Sequence, residues 1–251
     1  MPLIFLGTRE QRRWGRRINP DALADYVLTD EKTLDWGIEV SRLRQAIVQG
    51  AGDSWVQCVR NMCELYGNVT KPTAGSLLLK KGGWSGRNIA LLLEAVPEAR
   101  AIGIVRDPRG VYASGKKAKH SREPRTLSQS PYRTARAWSR FVRTLQSAER
   151  RFPGRVQMVF YEDCVRDISK VVNRLWNFLG LEDPEISAEE IRRPPQRSSK
   201  FISEKTAHLH DNVRLSPVAD RIEGWKQDLS KGEANTVKVF SYFTGRKAGY
   251  W

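Results

Sequence analysis

The stretch that decides the fold is residues 101–114, which read AIGIVRDPRGVYAS. Its first five residues are a short apolar run with β-branched side chains, which predicts a buried strand. Asp107 and Pro108 follow at once, and an aspartate directly before a proline is typical of the first residues of a helix. The stretch therefore predicts a strand that leads straight into a helix.

The same order of elements occurs on both sides of this stretch. A short apolar run at 77–80 precedes a helical pattern over 88–96, and a strand pattern at 156–161 precedes a helix that Gly180 ends. Successive strand and helix units predict an α/β fold with a central parallel sheet flanked by helices. The other predicted elements are a strand at 3–6, helices at 34–47, 55–66 (stopped by Gly67) and 132–151, a covering helix over 218–229, and a loop or lid at 183–217.

Length and composition limit the class of protein. The chain has 251 residues, of which 40% are hydrophobic, enough for one domain over 1–251 with an atypical part at 1–50. No stretch approaches 18 apolar residues, so we expect no membrane span and no signal peptide, and thus a cytoplasmic protein as given. A Golgi or secretory location would follow if an anchor preceded residue 1. Three cysteines and three histidines show no ligand spacing, so we expect neither disulfides nor a metal site.

The positive charge is concentrated in one segment. The formal net charge is +15, and residues 106–155 contribute +11 of it, with 14 lysines and arginines against three acids. Such an asymmetry favours an anionic partner, while a solvated helix face remains the alternative. No helix-turn-helix, zinc finger or aromatic RNA-binding motif is present, so we expect no specific nucleic-acid binding.

The chemistry is expected where the parallel strands end, because ligands of such sheets bind beyond their carboxyl ends. Lys80 and Lys81 follow one predicted strand, Arg106 and Arg109 the next, and Tyr161 the third. Arg106 would lie beside a helix N-terminus, whose amides favour an anion, and Ser114 follows about two helical turns later.

These residues resemble motifs of the sulfotransferase family. The string from Ile104 to Ser114 is similar to the family's 3′-phosphate-binding motif, and LLKKGGW at 78–84 is similar to its lysine-containing turn. Further similarities are FYED at 160–163, FLGL at 178–181, IEGWKQDL at 222–229 and the closing Gly249 and Tyr250. Together these motifs cover roughly residues 55–250 in the family's order.

The resemblance implies a P-loop NTPase-like three-layer fold and 3′-phosphoadenosine 5′-phosphosulfate as co-substrate, without a metal. Arg106 and Ser114 would hold the 3′-phosphate, with Arg109 in the same cofactor-binding set, and Tyr161 would lie near the adenine. Lys81 or Lys80 would assist the transferring sulfuryl group.

The resemblance is weakest at the first strand. Relatives carry a Gly/Ser/Thr-containing loop there that binds the 5′-phosphosulfate, whereas this chain offers only Gly7, Thr8 and Arg9 as counterparts. A late start of the chain, a loop rebuilt with arginines and a loss of transfer activity are the three alternatives. The general base is open between His120 and Glu162.

The sequence therefore predicts a sulfotransferase acting on a hydroxyl or amine of a small-molecule or glycan acceptor, with the basic segment favouring an anionic glycan. The alternatives are a nucleotide-binding relative without transfer activity and a basic protein that binds nucleic acid without sequence preference.

Overall fold

The computed structural model describes residues 19–29, 36–51, 55–70, 72, 89–118, 126–181 and 220–251. Contacts along the chain group into two compact units, Met1–Ala99 and Arg100–Trp251. The assignment of residues 1–251 to one domain stays a prediction.

The first unit is helical where it is described. Its helices are α1 (Pro20–Leu28), α2 (Val40–Ala51), α3 (Trp55–Thr70) and α4 (Ile89–Ala95). The side chain of Asn19 caps α1 by accepting from the backbone N–H of Ala22. Helix α2 packs against α1 and α3 around a core that includes Leu23, Val27, Leu43, Ile47 and Met62.

Two helix boundaries in this unit differ from those predicted. The helix expected from residue 34 begins at Val40, because Gly37 adopts a left-handed backbone with φ of 67° that no α-helix contains. The helix expected to stop at Gly67 continues to Thr70. A single glycine inside a helix costs only about 1 kcal/mol relative to alanine, so Gly67, which is buried, does not by itself end the helix.

The second unit carries the parallel sheet. Strand β1 (Ala101–Val105) leads into α5 (Pro108–Lys117), then α6 (Pro131–Arg151), and the chain returns as β2 (Val156–Phe160) parallel to β1. The register pairs Ala101 with Val156 and Val105 with Phe160. A Cβ on Gly103 would lie 2.4 Å from a methyl carbon of Leu145, so this glycine lets α6 pack closely on β1.

Two further helices follow β2 directly. Helix α7 (Tyr161–Arg166) starts at Tyr161, so the strand is one residue shorter than predicted. Helix α8 (Ile168–Leu179) ends at Gly180, whose φ of 66° confirms the predicted stop.

The end of the chain differs most from expectation. The predicted covering helix over 218–229 consists of two short helices, α9 (Asp220–Glu223) and α10 (Trp225–Asp228), and a long helix α11 (Lys231–Lys247) follows. Hydrophobic spacing does not predict α11, because Val239 and Phe243 are exposed while small residues such as Ser241 and Gly245 are buried. The sequence signal that marks α11 is the capping box of Ser230 and Glu233 at its start.

Helix α11 packs along α6 and also touches α5. A buried cluster joins these helices to α10, with Tyr112, Ala135, Leu229 and Val237 at its centre. Among the described helices, none has the length and apolar character that crossing a membrane requires.

Candidate functional site

Arg106 lies between the end of β1 and the start of α5. The next residue, Asp107, caps the helix by accepting from the backbone N–H of Arg109 at 2.7 Å, and Pro108 is the first helical residue. Pro108 has no backbone N–H and the Arg109 N–H is taken by Asp107, while Gly110 of the same first turn lies beside the Arg106 side chain. A fixed cation beside a helix N-terminus of this length is a favourable place for a phosphate group.

Tyr161 reaches the same place from the neighbouring strand. The register pairs Val105 with Phe160, so the two residues that follow, Arg106 and Tyr161, leave the sheet side by side. The guanidinium carbon of Arg106 lies 4.5 Å from the centre of the Tyr161 ring. The fold thus brings together two predicted cofactor-binding residues and aligns them by a cation–π contact.

Two contacts position Arg106 itself. The indole N–H of Trp138, on α6, donates to the Arg106 carbonyl at 2.8 Å. A Cβ on Gly110 would lie 2.9 Å from Nε of Arg106, so the glycine makes the room that the arginine side chain occupies beside the first turn of α5. Trp138 is buried, and its hydrogen bond holds this backbone in place.

Glu162, on α7, links the start of α5 to Tyr250. It is buried, accepts from the backbone N–H of Asp107 at 2.9 Å through Oε1, and accepts from the Tyr250 hydroxyl at 2.9 Å through Oε2. Both carboxylate oxygens are therefore engaged in holding protein groups. This arrangement makes Glu162 a positioning residue and argues against its use as the general base.

Tyr250 is tied to the same carboxylate. Burial raises the pKa of its hydroxyl far above the ordinary value, and the charge and hydrogen bond of Glu162 raise it further. The phenol therefore stays protonated and donates. The centre of its ring lies 5.8 Å from that of Trp138 and 6.0 Å from that of Phe160, and both contacts are edge to face. The three rings therefore pack together beside Glu162.

Arg109 contacts the N-cap of its own helix and two tryptophan rings. Its guanidinium pairs with the carboxylate of Asp107, with 2.6 Å between NH2 and Oδ2, and lies 4.0 Å from the Trp225 ring and 4.7 Å from the Trp251 ring. Its charge is thus neutralised by its own N-cap. A direct role in cofactor binding stays a prediction for Arg109.

Ser114 lies on α5 and is exposed. Helix geometry places it about two turns from the start of α5, which agrees with the spacing of the motif. Its role in holding a phosphate stays a prediction.

The profile of the sulfotransferase family matches residues 12–185 of the chain. This protein belongs to the sulfotransferase family. The match includes Arg106, Ser114 and Tyr161 and ends before Tyr250 and Trp251. None of the curated protein sequences matches the chain.

A solved structure resembles the whole sulfotransferase chain. The sulfotransferase domain from the curacin biosynthetic pathway shares 17% identity with it, with a TM-score of 0.59, over 100% of this chain and 87% of that one. The likeness confirms the predicted α/β fold of the P-loop-like sulfotransferase type.

Several predicted site residues lie outside the described ranges. These are Gly7, Thr8, Arg9, Lys80, Lys81 and His120. Their roles in the sulfotransferase stay predictions, as does the loop or lid over 183–217.

Within the described ranges, no cluster of three histidine, cysteine or acidic side chains could hold a metal ion, and Cys58, Cys63 and Cys164 form no disulfide. The sequence did not predict the positioning roles of Trp138, Glu162, Tyr250 and Trp251. The motif FYED at 160–163 and the closing aromatic pair were the only signals that could have found the last three.

Proposed function

We propose that this sulfotransferase moves a sulfuryl group from 3′-phosphoadenosine 5′-phosphosulfate to a hydroxyl or amine of its acceptor. The observation that carries the proposal is Arg106, which stands beside the N-terminus of α5 and over the Tyr161 ring. A permanent cation, the positive end of a helix dipole and an aromatic ring together match a ligand with a phosphate next to an adenosine.

Each group of the nucleotide has a candidate partner. Arg106 would hold the 3′-phosphate at the positive end of the α5 dipole, with the Ser114 hydroxyl as a further donor. Tyr161 would contact the adenine side. Trp138 and Glu162 keep the backbone of residues 106 and 107 in place for this contact.

The transfer is a substitution at sulfur. The acceptor oxygen or nitrogen forms a bond to sulfur while the bond from sulfur to the bridging phosphate oxygen breaks, and adenosine 3′,5′-bisphosphate leaves. We expect Lys81 or Lys80 to stabilise the charge that develops on the bridging oxygen. The acceptor proton passes to a base, for which His120 is the candidate.

An anionic glycan is the acceptor class we favour. The net charge of +11 in residues 106–155 raises the local concentration of anionic molecules around this part of the protein. A sulfated or uronic-acid-bearing chain also offers the hydroxyl or amine groups that sulfuryl transfer needs.

Calorimetric titration with adenosine 3′,5′-bisphosphate tests the nucleotide site. We expect saturable binding by the wild type and a loss of about ten- to hundredfold in Arg106→Ala, since one charge-assisted contact is removed. Arg174→Ala is the matched control, because Arg174 is an exposed arginine on α8, and its affinity should be unchanged. A folded wild-type protein that does not bind the nucleotide contradicts the proposal.

Transfer assays then separate an enzyme from a binding protein. Turnover of the phosphosulfate donor with an acceptor panel supports the sulfotransferase activity. Tight binding of the bisphosphate without turnover on any acceptor would favour the non-catalytic alternative.

A further inference from the structure

Helix α6 carries a straight row of arginines on its outer face. The row, called the arginine row below, consists of Arg133, Arg136, Arg140, Arg143 and Arg150, all of them exposed. Their spacing of 3, 4, 3 and 7 residues keeps them on one side of the helix. At a rise of 1.5 Å per residue the row is about 25 Å long.

The arginine row faces away from the nucleotide site. The opposite side of α6 is buried and includes Ala135, Trp138, Val142 and Leu145. From that side Trp138 donates to the Arg106 carbonyl. A ligand on the row therefore occupies a surface separate from the one that holds the nucleotide.

Acidic side chains of the described residues do not pair with the arginine row. Within the part of the chain that the structure describes, none of the five arginines forms an ion pair. Arg136 and Arg143 donate only to neutral oxygens, the Tyr132 hydroxyl and the Ser139 carbonyl. Lysines of the adjoining α5 behave differently, since Lys116 pairs with Glu233 and Lys117 with Asp228.

Cations three and four residues apart on a helix repel each other, so an anionic chain that spans the row relieves this repulsion. Side chains between the arginines on the same face are small, namely Ala137, Thr144 and Ser147. From Arg136 to Arg150 they offer no series of aromatic rings on which successive single-stranded bases could stack, and the exposed Tyr132 ring lies against Arg136 at the N-terminal end of the row.

We propose that the arginine row binds an extended anionic polysaccharide that carries sulfate or uronate groups. Arginine suits these groups because its planar fork pairs bidentately with sulfate and carboxylate. A chain held along α6 would keep its acceptor hydroxyls near the protein while the nucleotide site stays open. That this polysaccharide is the acceptor rests on the proposed function, whereas its binding to the row does not.

Binding of a fluorescent heparin decasaccharide, followed by anisotropy, tests the row. The variant Arg133→Gln/Arg140→Gln/Arg150→Gln removes three exposed side chains that make no ion pair, so we expect its fold to be preserved. We expect about tenfold weaker binding than for the wild type. The slope of log Kd against log salt should fall by about 2, since three counterion-releasing contacts are lost.

The matched control is Arg174→Gln/Lys231→Gln/Arg246→Gln, which removes the same charge from exposed positions of the same unit. Its affinity should stay within about twofold of the wild type, because only long-range charge is lost. Equal weakening of both triple variants would overturn the proposal, since binding would then follow net charge alone. Tighter binding of an oligothymidylate of equal charge, or of phosphatidylserine vesicles, would overturn the choice of polysaccharide.

The two proposals fail separately. Titration of the row variant with adenosine 3′,5′-bisphosphate should give wild-type affinity, because Arg106 is unchanged. Heparin binding by Arg106→Ala should in turn persist. Loss of nucleotide binding by the row variant would contradict the separation of the two surfaces.

Discussion

Glu162 accepts the backbone N–H of Asp107 at 2.9 Å, across 55 residues of sequence. The acceptor is a buried carboxylate in the first turn of α7, directly after β2, and the donor is the residue that caps α5 after β1. Because Arg106 directly precedes Asp107, this bond fixes the backbone from which the Arg106 side chain projects. Glu162 thus positions the Arg106 backbone without itself having to contact a ligand.

Replacing Glu162 by alanine should destabilise the protein. The Asp107 N–H and the Tyr250 hydroxyl would both lose a buried partner, at a cost of about 2–4 kcal/mol in the free energy of unfolding. Urea denaturation measures this change. Asp163→Ala, which removes only an exposed ion pair with Arg166, should cost less than about 1 kcal/mol. Similar costs for the two variants would contradict the bridging role.

Tyr250→Phe removes one hydroxyl and keeps the ring. We expect a loss of about 1–2 kcal/mol in stability and weaker binding of adenosine 3′,5′-bisphosphate, because Oε2 of Glu162 loses its donor. Tyr242→Phe serves as the control, since the Tyr242 side chain is exposed on α11. If the two variants bind the nucleotide alike, Tyr250 does not support the site.

Gly110→Ala should separate binding from stability. Alanine favours the helix by up to about 1 kcal/mol, yet its Cβ would displace the Arg106 side chain. We expect unchanged or higher stability together with about five- to tenfold weaker binding of the bisphosphate. A Cβ on Gly232 meets no atom within 4 Å, so Gly232→Ala should leave the affinity unchanged. Wild-type affinity in Gly110→Ala would contradict the position of Arg106.

Arg109→Lys tests how this arginine acts. Lysine keeps the charge but loses the fork on Asp107 and the contacts with the Trp225 and Trp251 rings, so stability should fall by about 1–2 kcal/mol. If Arg109 acts only by holding Asp107 in place, calorimetry will show a smaller loss of nucleotide affinity in Arg109→Lys than in Arg106→Lys. Equal losses would instead support the predicted direct contact with the cofactor.

The lowered pKa of Glu233 should make the free energy of unfolding depend on pH. The ammonium group of Lys116, followed by the backbone N–H of Ser230, lowers the pKa of this carboxyl to about 2 in the folded state. A lowered pKa stabilises the fold above the ordinary glutamate pKa, and this contribution is lost as the pH falls towards 2. Denaturation curves between pH 2 and pH 5 should therefore show a smaller pH slope in Glu233→Gln. An unchanged slope would show that another group is responsible.

Local patterns in the sequence predicted the central elements well. The apolar run 101–105 and the Asp-Pro cap that follows it set β1 and α5 at the expected residues, and Gly180 ended α8. These features depend on neighbours within a few residues, which a pattern of side chains records directly. The family resemblance rested on the same strand ends, and the family profile confirmed it.

Helix α11 shows where such patterns fail. Its buried face is made of small residues because it lies close against α6, and its large apolar residues point outward. Hydrophobic periodicity detects a helix by the regular spacing of its large apolar residues. It therefore misses a helix that packs against its neighbour through small residues.

The sequence by itself determined the strand and helix units, the sulfotransferase motifs and the place of Arg106 at a strand end. Only the tertiary structure decided that Tyr161 lies against Arg106, that Glu162 joins Asp107 to Tyr250, and that the arginine row faces away from the site. These relationships join residues 55 to 88 positions apart or depend on which helix face is buried. They follow from the parallel register of the strands and from the packing of the helices. Neither can be read from neighbouring residues in the sequence, because both depend on contacts between distant parts of the chain.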